Sequence, residues 1–480
     1  MGIPVRKATT LKYRRPITMN ESNINNESIK VHFSSHASLA ALGRKVKKLK
    51  LFEPIEQKVK IAQKTIKYSP SEKLMDAFIT LLAGGQGMVE INKQLKADPG
   101  LQSAFGRRGC AEQSVVQETL DASSCENVIQ MYQATETIFR RYSQTYRHDY
   151  QLDWQVLDAD MTGRLCGKKA QFASKGYFAK QRNRRGRQEG YVIGTRYDEI
   201  VVKRLFDGTT QLNKALPSLI ETAENVLELD EAKRKRTILR VDSGGGSVED
   251  VNWALERGYQ VHGKDYSGTR AQALAESVST WIIDPCDSDR QMGWVTQAPD
   301  AYCRPIRRIA VRCRKNNGQW GYGVIISTLV PQDVLLLTGG YEQDVQDPKA
   351  VLLAYVNFYD QRGGGVEIEI KEDKQGLATS KRNKKRFEAQ QVLGQLEALA
   401  HNVLIWAREW LAPYCPKIAR LGIKCLVRDI FQMDGFLVFD QISDLLQVVL
   451  NRLDPFAKEL VSGLAPLLAI EQVAIILGET

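Results

Sequence analysis

The chain predicts an α/β fold: a mixed sheet carrying a β-rich insertion, flanked by N-terminal and C-terminal helical regions. Three observations predict it. Strand-length apolar runs alternate with helical patterns between residues 149 and 267, in the order β-β-β-α-β-α-β. Residues 268–345 hold short strand-like pieces separated by turns. The segments on either side of these read at helical spacing. The expected division is a basic disordered arm (1–34), a helical region (35–148), the α/β core in two parts (149–267 and 346–410) split by the insertion (268–345), and a C-terminal helical region (411–480).

Composition narrows the partners. The 480 residues include 67 Lys and Arg against 56 Asp and Glu, a formal charge of +11. Such an excess favours a polyanion, because neutralising phosphates releases condensed counterions. Eight cysteines are scattered without a Cys-x-x-Cys pair, and there are five histidines, so neither a zinc site nor a disulfide framework is expected. The start, MGIPVRKATTLKYRRP, has no apolar core of a secretory signal. The apolar run Leu464–Leu477 is broken by Pro466, Glu471 and Gln472, and reads as a buried helix pair rather than a membrane span. A reducing, cytosolic setting follows.

The elements come in this order. Residues 1 to about 30 are basic, then Asn/Ser-rich, as in a disordered arm. Leu39, Leu42, Val46 and Leu49 keep helical spacing beside Arg44, Lys45, Lys47, Lys48 and Lys50. That basic face is either solvated or laid on DNA phosphates. Ser69, Pro70 and Glu72 form a capping-box start for a helix over 70–83, ended by Gly84-Gly85. A helix over 88–96, a turn at Asp98-Pro99-Gly100 and a basic glycine turn before a polar-fronted helix suit a helix-turn-helix. Arg107, Arg108 and Gln113 are its candidate DNA contacts. From Trp154 the pattern switches to strands: DWQVLDAD, GYVIG and EIVVKRLF, a helix over 211–229, the strand TILRVD, a helix opened by Ser247–Asp250, and a strand near 258–263. The insertion offers STWIID, GWVTQ, RRIAVRCR and QWGYGVIIS as strands. Helical pattern returns at Pro348. The basic tract SKRNKKR (380–386) leads into an amphipathic helix over 387–410, and the last 70 residues read as apolar helices.

Three acids stand out: Asp160, Asp242 and Glu367. Asp158 and Asp160 share one side of the first strand, and carboxylates are poor strand formers. Asp242 ends a buried run and precedes Gly244-Gly245-Gly246, where ligands approach the carboxyl ends of strands. Glu367 falls in the first turn of a helix after Gly363-Gly364-Gly365, with Lys371 and Lys374 on its face and Tyr359 and Arg362 before it. An Arg grips phosphate bidentately and a Lys adds a point charge. The bland reading of each acid is a solvated cap; Glu369 competes with Glu367 but would face away.

Taken together, acids at the ends of the first and fourth strands and a Glu on a late helix form a ribonuclease-H-like layout. The pieces LDADMTG, RVDSGGG and YDQRGGGVE with Lys374 resemble bacterial insertion-sequence DDE transposases with a Tyr-Arg-Glu-Lys signature. The likeness extends over most of residues 35–410. It departs from the usual pattern in having four residues between Arg362 and Glu367 instead of three, Met161 after Asp160, and Val115, Val116 and Gln117 where Thr-x-x-Arg is common. The resemblance implies cut-and-paste transposition, with two Mg²⁺ ions (Mn²⁺ as substitute) held by Asp160, Asp242 and Glu367. It implies Tyr359, Arg362, Lys371 and Lys374 on DNA phosphates, and terminal inverted repeats and target DNA as partners. It also implies that the 35–148 region is the DNA-binding domain that recognises the ends, a homodimer pairing two ends with the C-terminal helical region as its contact, and a cytoplasmic, nucleoid-associated location. The alternative is an inactive relative that only binds DNA.

Overall fold

A computed structural model describes residues 29–64, 67–176, 178, 183–297 and 301–479. Most of the expected arm, residues 1–28, lies outside the described residues. Its last part does not: Lys30–Ser34 form a strand, β1.

The core is one ten-stranded mixed sheet. Its first strands are β2 (Gln155–Leu165), the short β3 (Ser174–Lys175), β4 (Arg185–Gly194) and β5 (Glu199–Asp207). β2 pairs antiparallel with β4, and β4 with β3 and β5. On its other side β2 runs parallel to β6 (Thr237–Val241), which runs parallel to β7 (Gln260–Lys264). The helix Leu212–Leu227 makes the crossover to β6, as parallel strands require. Burial on both faces, with Leu157 and Leu239 on one side and Val156 and Ile238 on the other, explains the near-continuous apolar runs.

The insertion supplies β8 (Ile282–Asp284), β9 (Asp287–Trp294), β10 (Arg307–Arg314) and β11 (Trp320–Ser327); β10 and β11 fall on the expected strands, β8 on the second half of STWIID, and β9 mostly before GWVTQ, sharing only Gly293 and Trp294 with it. They are not a separate layer. β11 pairs antiparallel with β7, so the insertion extends the core sheet outward. The helix Pro348–Gly364 crosses this extension and buries Leu352, Tyr355 and Phe358 against Met292, Ile309 and Ile325.

The N-terminal helices are Ala37–Lys48, Glu53–Lys58, Pro70–Leu82, Pro99–Ala104, Gln113–Asp121 and Cys125–Tyr142, with a wide turn over Ile91–Leu95. The expected capping box at Ser69 and Glu72 is present. Asp98 does not sit in a plain turn; its carboxylate caps the Pro99–Ala104 helix by accepting from Leu101 N. The basic face of the first helix is not open to a polyanion along its length. Arg44 and Lys47 pair with Asp444, and Lys45 with Glu471.

Two expectations for the C-terminal part are corrected. The Phe387–Leu411 helix is not amphipathic: residues 392–408 are buried throughout, and the helix packs on β5 and on the helices Cys125–Tyr142 and Pro70–Leu82. The last 70 residues are not all helical. They hold β12 (Gly435–Phe439), β13 (Leu445–Asn451), the helix Ala457–Leu468 and β14 (Ala474–Gly478). The supposed helix pair 464–477 is the end of that helix followed by β14. These strands form a second sheet in the order β1-β12-β13-β14, which joins the two ends of the described chain. Among the described residues, no helix is long and apolar enough to cross a membrane.

Candidate functional site

The register of β2 and β6 positions the two aspartates. Ala159 stands opposite Val241 in the parallel pair, so Asp160 and Asp242 are the next residues out on neighbouring strands. Neighbouring strands lie about 4.8 Å apart. Asp160 is not the end of its own strand, since β2 continues to Leu165 against β4. It is where β2 loses its parallel neighbour. Asp242 turns there and caps the short Ser243–Gly245 turn, accepting from Gly244 N at 2.8 Å.

Asp158 faces the same side but is spent on structure. It is fully buried, held by Arg240 through two bonds of 2.6 and 2.8 Å and by the Thr195 hydroxyl at 2.7 Å. Arg240 and Thr195 were not singled out from the sequence; an arginine inside the apolar run ILRV was the available signal.

The third acid arrives on a helix. The Pro348–Gly364 helix breaks at Gly365, and Val366–Gly376 begins a new one with Glu367 in its first turn. Gly365 has to be small: a Cβ there would sit 2.8 Å from Thr195 Cγ2 and 3.3 Å from an Asp158 oxygen. The Arg362 guanidinium joins the acids. It is buried, 3.2 Å from Asp160 Oδ2 and 3.4 Å from Glu367 Oε1, and donates to Ala159 O at 3.1 Å. Glu367 itself is largely exposed.

Electrostatics bind these groups into one site. Burial raises the Asp160 carboxyl, Arg362 opposes it, and the charges of Asp242 and Glu367 add to it, leaving it pushed up to about 6. Tyr359 feels the same acids; burial first, and they with it, push its phenol up to about 12. Lys374 is half-buried, its amine 2.5 Å from the Thr162 hydroxyl. Burial pulls its pKa down, opposed by Glu189. Lys371 is exposed on the same helix. Glu369 does face away, into a buried cluster with His401 and Asp373.

A cleft of about 640 Å³ starts at Tyr359 and Asp360 and runs over the insertion strands, lined by Lys264, Arg290, Arg314 and Lys315. Arg290 is tied to Asp360 at 2.5 and 2.9 Å. Among the described residues, no three His, Cys, Asp or Glu side chains stand close enough to hold a metal as they are. The donor chemistry does fit a hard cation: an all-oxygen set in which a desolvated carboxyl feels the charges of two other acids. What separates Glu367 from the aspartates is Arg362.

Of the helix-turn-helix contacts, Arg107 is corrected. It is buried and paired with Asp76 at 2.8 Å and Glu72 at 2.5 Å, so it braces the Pro70–Leu82 helix. Arg108 is exposed, and Gln113 is half-buried with its backbone N–H on Asn92. The basic tract 380–386 turns inward in part: Arg382 and Lys384 are buried, and Lys384 donates to Gln117 at 2.6 Å, while Lys381, Lys385 and Arg386 stay exposed.

No family model matches this chain, and no curated protein matches it. Among solved structures, it is similar to a piggyBac transposase synaptic complex with hairpin DNA, at 12% identity. The alignment covers 84% of this chain and 82% of that one, with a TM-score of 0.44.

Proposed function

We propose that the chain is a metal-dependent DNA transposase that cuts transposon ends and joins them to target DNA. The observation that carries this reading is the register that sets Asp160 and Asp242 side by side on parallel strands, with Arg362 between Asp160 and Glu367. The antiparallel β5-β4-β2 edge continuing into parallel β6 and β7 supports reading the core as ribonuclease-H-like. Asp160, Asp242 and Glu367 would hold Mg²⁺, with Mn²⁺ as a substitute; when bound, the metal supplies charge that activates the attacking oxygen and stabilises the leaving one. Arg362 would take a phosphate oxygen in exchange for its two carboxylates, which would free Glu367 to turn toward the aspartates. Lys374 and Lys371 lie along the same helix to hold the next phosphates, and Tyr359 marks the entrance of the cleft over the insertion. Terminal inverted repeats and target DNA are the proposed substrates, and two copies would be needed to pair two ends.

The test incubates the protein with its element's terminal repeat and Mg²⁺. Nicking at the end is expected, and Asp242→Asn should abolish it while binding persists. Binding without metal-dependent nicking in the unaltered chain would leave a DNA-binding protein and sink the catalytic reading.

A further inference from the structure

A cavity of about 250 Å³ lies at the outer edge of the core sheet, walled by β5 and the helices Cys125–Tyr142, Leu212–Leu227 and Phe387–Leu411. Gln395, Ala398, Leu399, Asn402 and Trp406 reach it at helical spacing, from one face of the last helix. Among the described residues β5 pairs with β4 alone, so its far edge needs other partners. A bulge breaks the ladder at the cavity: Val201 has no opposite number between the pairs Val192–Val202 and Ile193–Ile200. Side chains take the place of a further strand there. Asn402 accepts from Ile200 N and donates to Ile200 O, each at 2.9 Å. Gln395 and the Tyr132 hydroxyl both donate to Lys203 O, at 2.7 and 3.1 Å. Protein interiors hold few voids larger than a water molecule, and the stability lost grows with cavity volume. A space of this size, with amides along one wall and aromatic rings on others, therefore suits an occupant.

We propose that the cavity binds a small, uncharged, two-ring aromatic molecule with a hydrogen-bond acceptor on one edge. Size sets the ring count. A cavity of about 150 Å³ holds benzene, or roughly 25 Å³ for each ring carbon, so this one takes about ten non-hydrogen atoms. Phe139, Val226, Leu399 and the ring of Trp406 supply apolar walls, and the Trp406 N–H is already given to Glu199 at 2.7 Å. A neutral molecule fits because the charged groups of the lining are engaged. Lys203 pairs with Glu397 at 2.6 Å and Glu136 with Arg140 at 2.7 Å, while Arg204 donates to Ser218 O and the Thr222 hydroxyl at 3.3 Å each. The acceptor follows from Gln395 and Asn402: each amide gives one N–H to β5 and has a second to offer. The proposal does not depend on reading the chain as a transposase. β4 stands between β5 and β2, the strand that carries Asp160.

The experiment titrates quinoline, which has the size and the acceptor, into the full chain at neutral pH and follows it by ligand-observed NMR. Saturable binding is expected. It should be about fivefold tighter than that of naphthalene, which has the same shape without the acceptor, the worth of one hydrogen bond. Ala398→Leu and Val226→Phe fill the space from two different walls. Each should weaken quinoline at least about tenfold, as overpacking does, while the melting temperature holds or rises as in other cavity-filling changes. Two walls keep the test readable where one variant fails to fold. No saturable binding by the unaltered chain, quinoline held no better than naphthalene, or undiminished affinity in a folded filling variant would each overturn the proposal. Metal-dependent nicking, read separately, bears on the carboxylate site alone.

Discussion

Single residues in this chain divide into those that meet water and those that hold charges away from it. Arg164, Glu189, Lys203 and Glu397 form a fully buried network: Arg164 reaches Glu189 at 2.8 Å and Glu397 at 2.7 Å, and Lys203 reaches Glu397 at 2.6 Å. Burial would raise Glu189, but Arg164 and Lys203 outweigh it and hold the carboxyl at about 2. Breaking a buried network costs more than the network is worth, because it strands the partners. Glu397→Ala is therefore expected to cost about 3–5 kcal/mol in urea unfolding; a loss below 1 kcal/mol would show that Glu189 alone satisfies both cations. A pH effect belongs to His401. Burial pulls its imidazole down, but Asp373 at 2.8 Å and Glu369 outweigh this and push it up to about 9 from 6.5. A raised pKa means the folded state binds the proton more tightly, so this stability is full below about pH 6.5 and is lost as pH rises through about 9. The melting temperatures of the unaltered chain and His401→Gln should converge between pH 6 and 10, and a constant gap would refute the charged pair. Asp160 and Asp242 were legible because acids at the ends of apolar strand runs need a reason. Arg107 was not, because the carboxylate it braces, Asp76, lies 31 residues away on another helix.

At the scale of elements, the break at Gly365 decides where Glu367 lies. In one continuous helix a fourth residue between Arg362 and Glu367 would turn the acid by about 100°. Here the helix stops and restarts, and Glu367 still comes within 3.4 Å of Arg362. Gly365→Val should therefore disturb the site more than the fold. A bulky side chain would push against Thr195 and Asp158, costing about 1–3 kcal/mol as overpacking does, while end cleavage falls at least tenfold. Cleavage at the unaltered rate would mean that the break is incidental. The C-terminal strands were misread for a related reason. GFLVF and LLQVVLN are short apolar runs, which periodicity alone cannot assign to helix or strand. Val448 and Val449 were the β-branched hint, and the pairing with β1 that settles the matter comes from the other end of the described chain.

On the scale of the whole molecule, the second sheet ties the N-terminal helices to the C-terminal segment, with Arg44 and Lys47 on Asp444 reinforcing the tie. The apolar C-terminal segment is thus bound to its own chain along β1, whatever surface it leaves for a second copy. A chain ending at Leu411 would lack β12, β13 and β14 and uncover the buried face of the Ala37–Lys48 helix. It is expected to aggregate on gel filtration and to lose cooperative melting; a soluble, cooperatively melting fragment would show that the N-terminal helices stand alone. The same pairing sets a clock during synthesis. β1 leaves the ribosome some 400 residues before β12, roughly 20 to 80 seconds at ordinary elongation rates. Throughout that wait the first strand has no ladder partner, and Val31 and Phe33 stay available to any other extended segment, including the β1 of a neighbouring nascent chain. The yield of folded protein should then depend on how crowded its messenger is with ribosomes, a vulnerability carried by five residues near the beginning of the described chain.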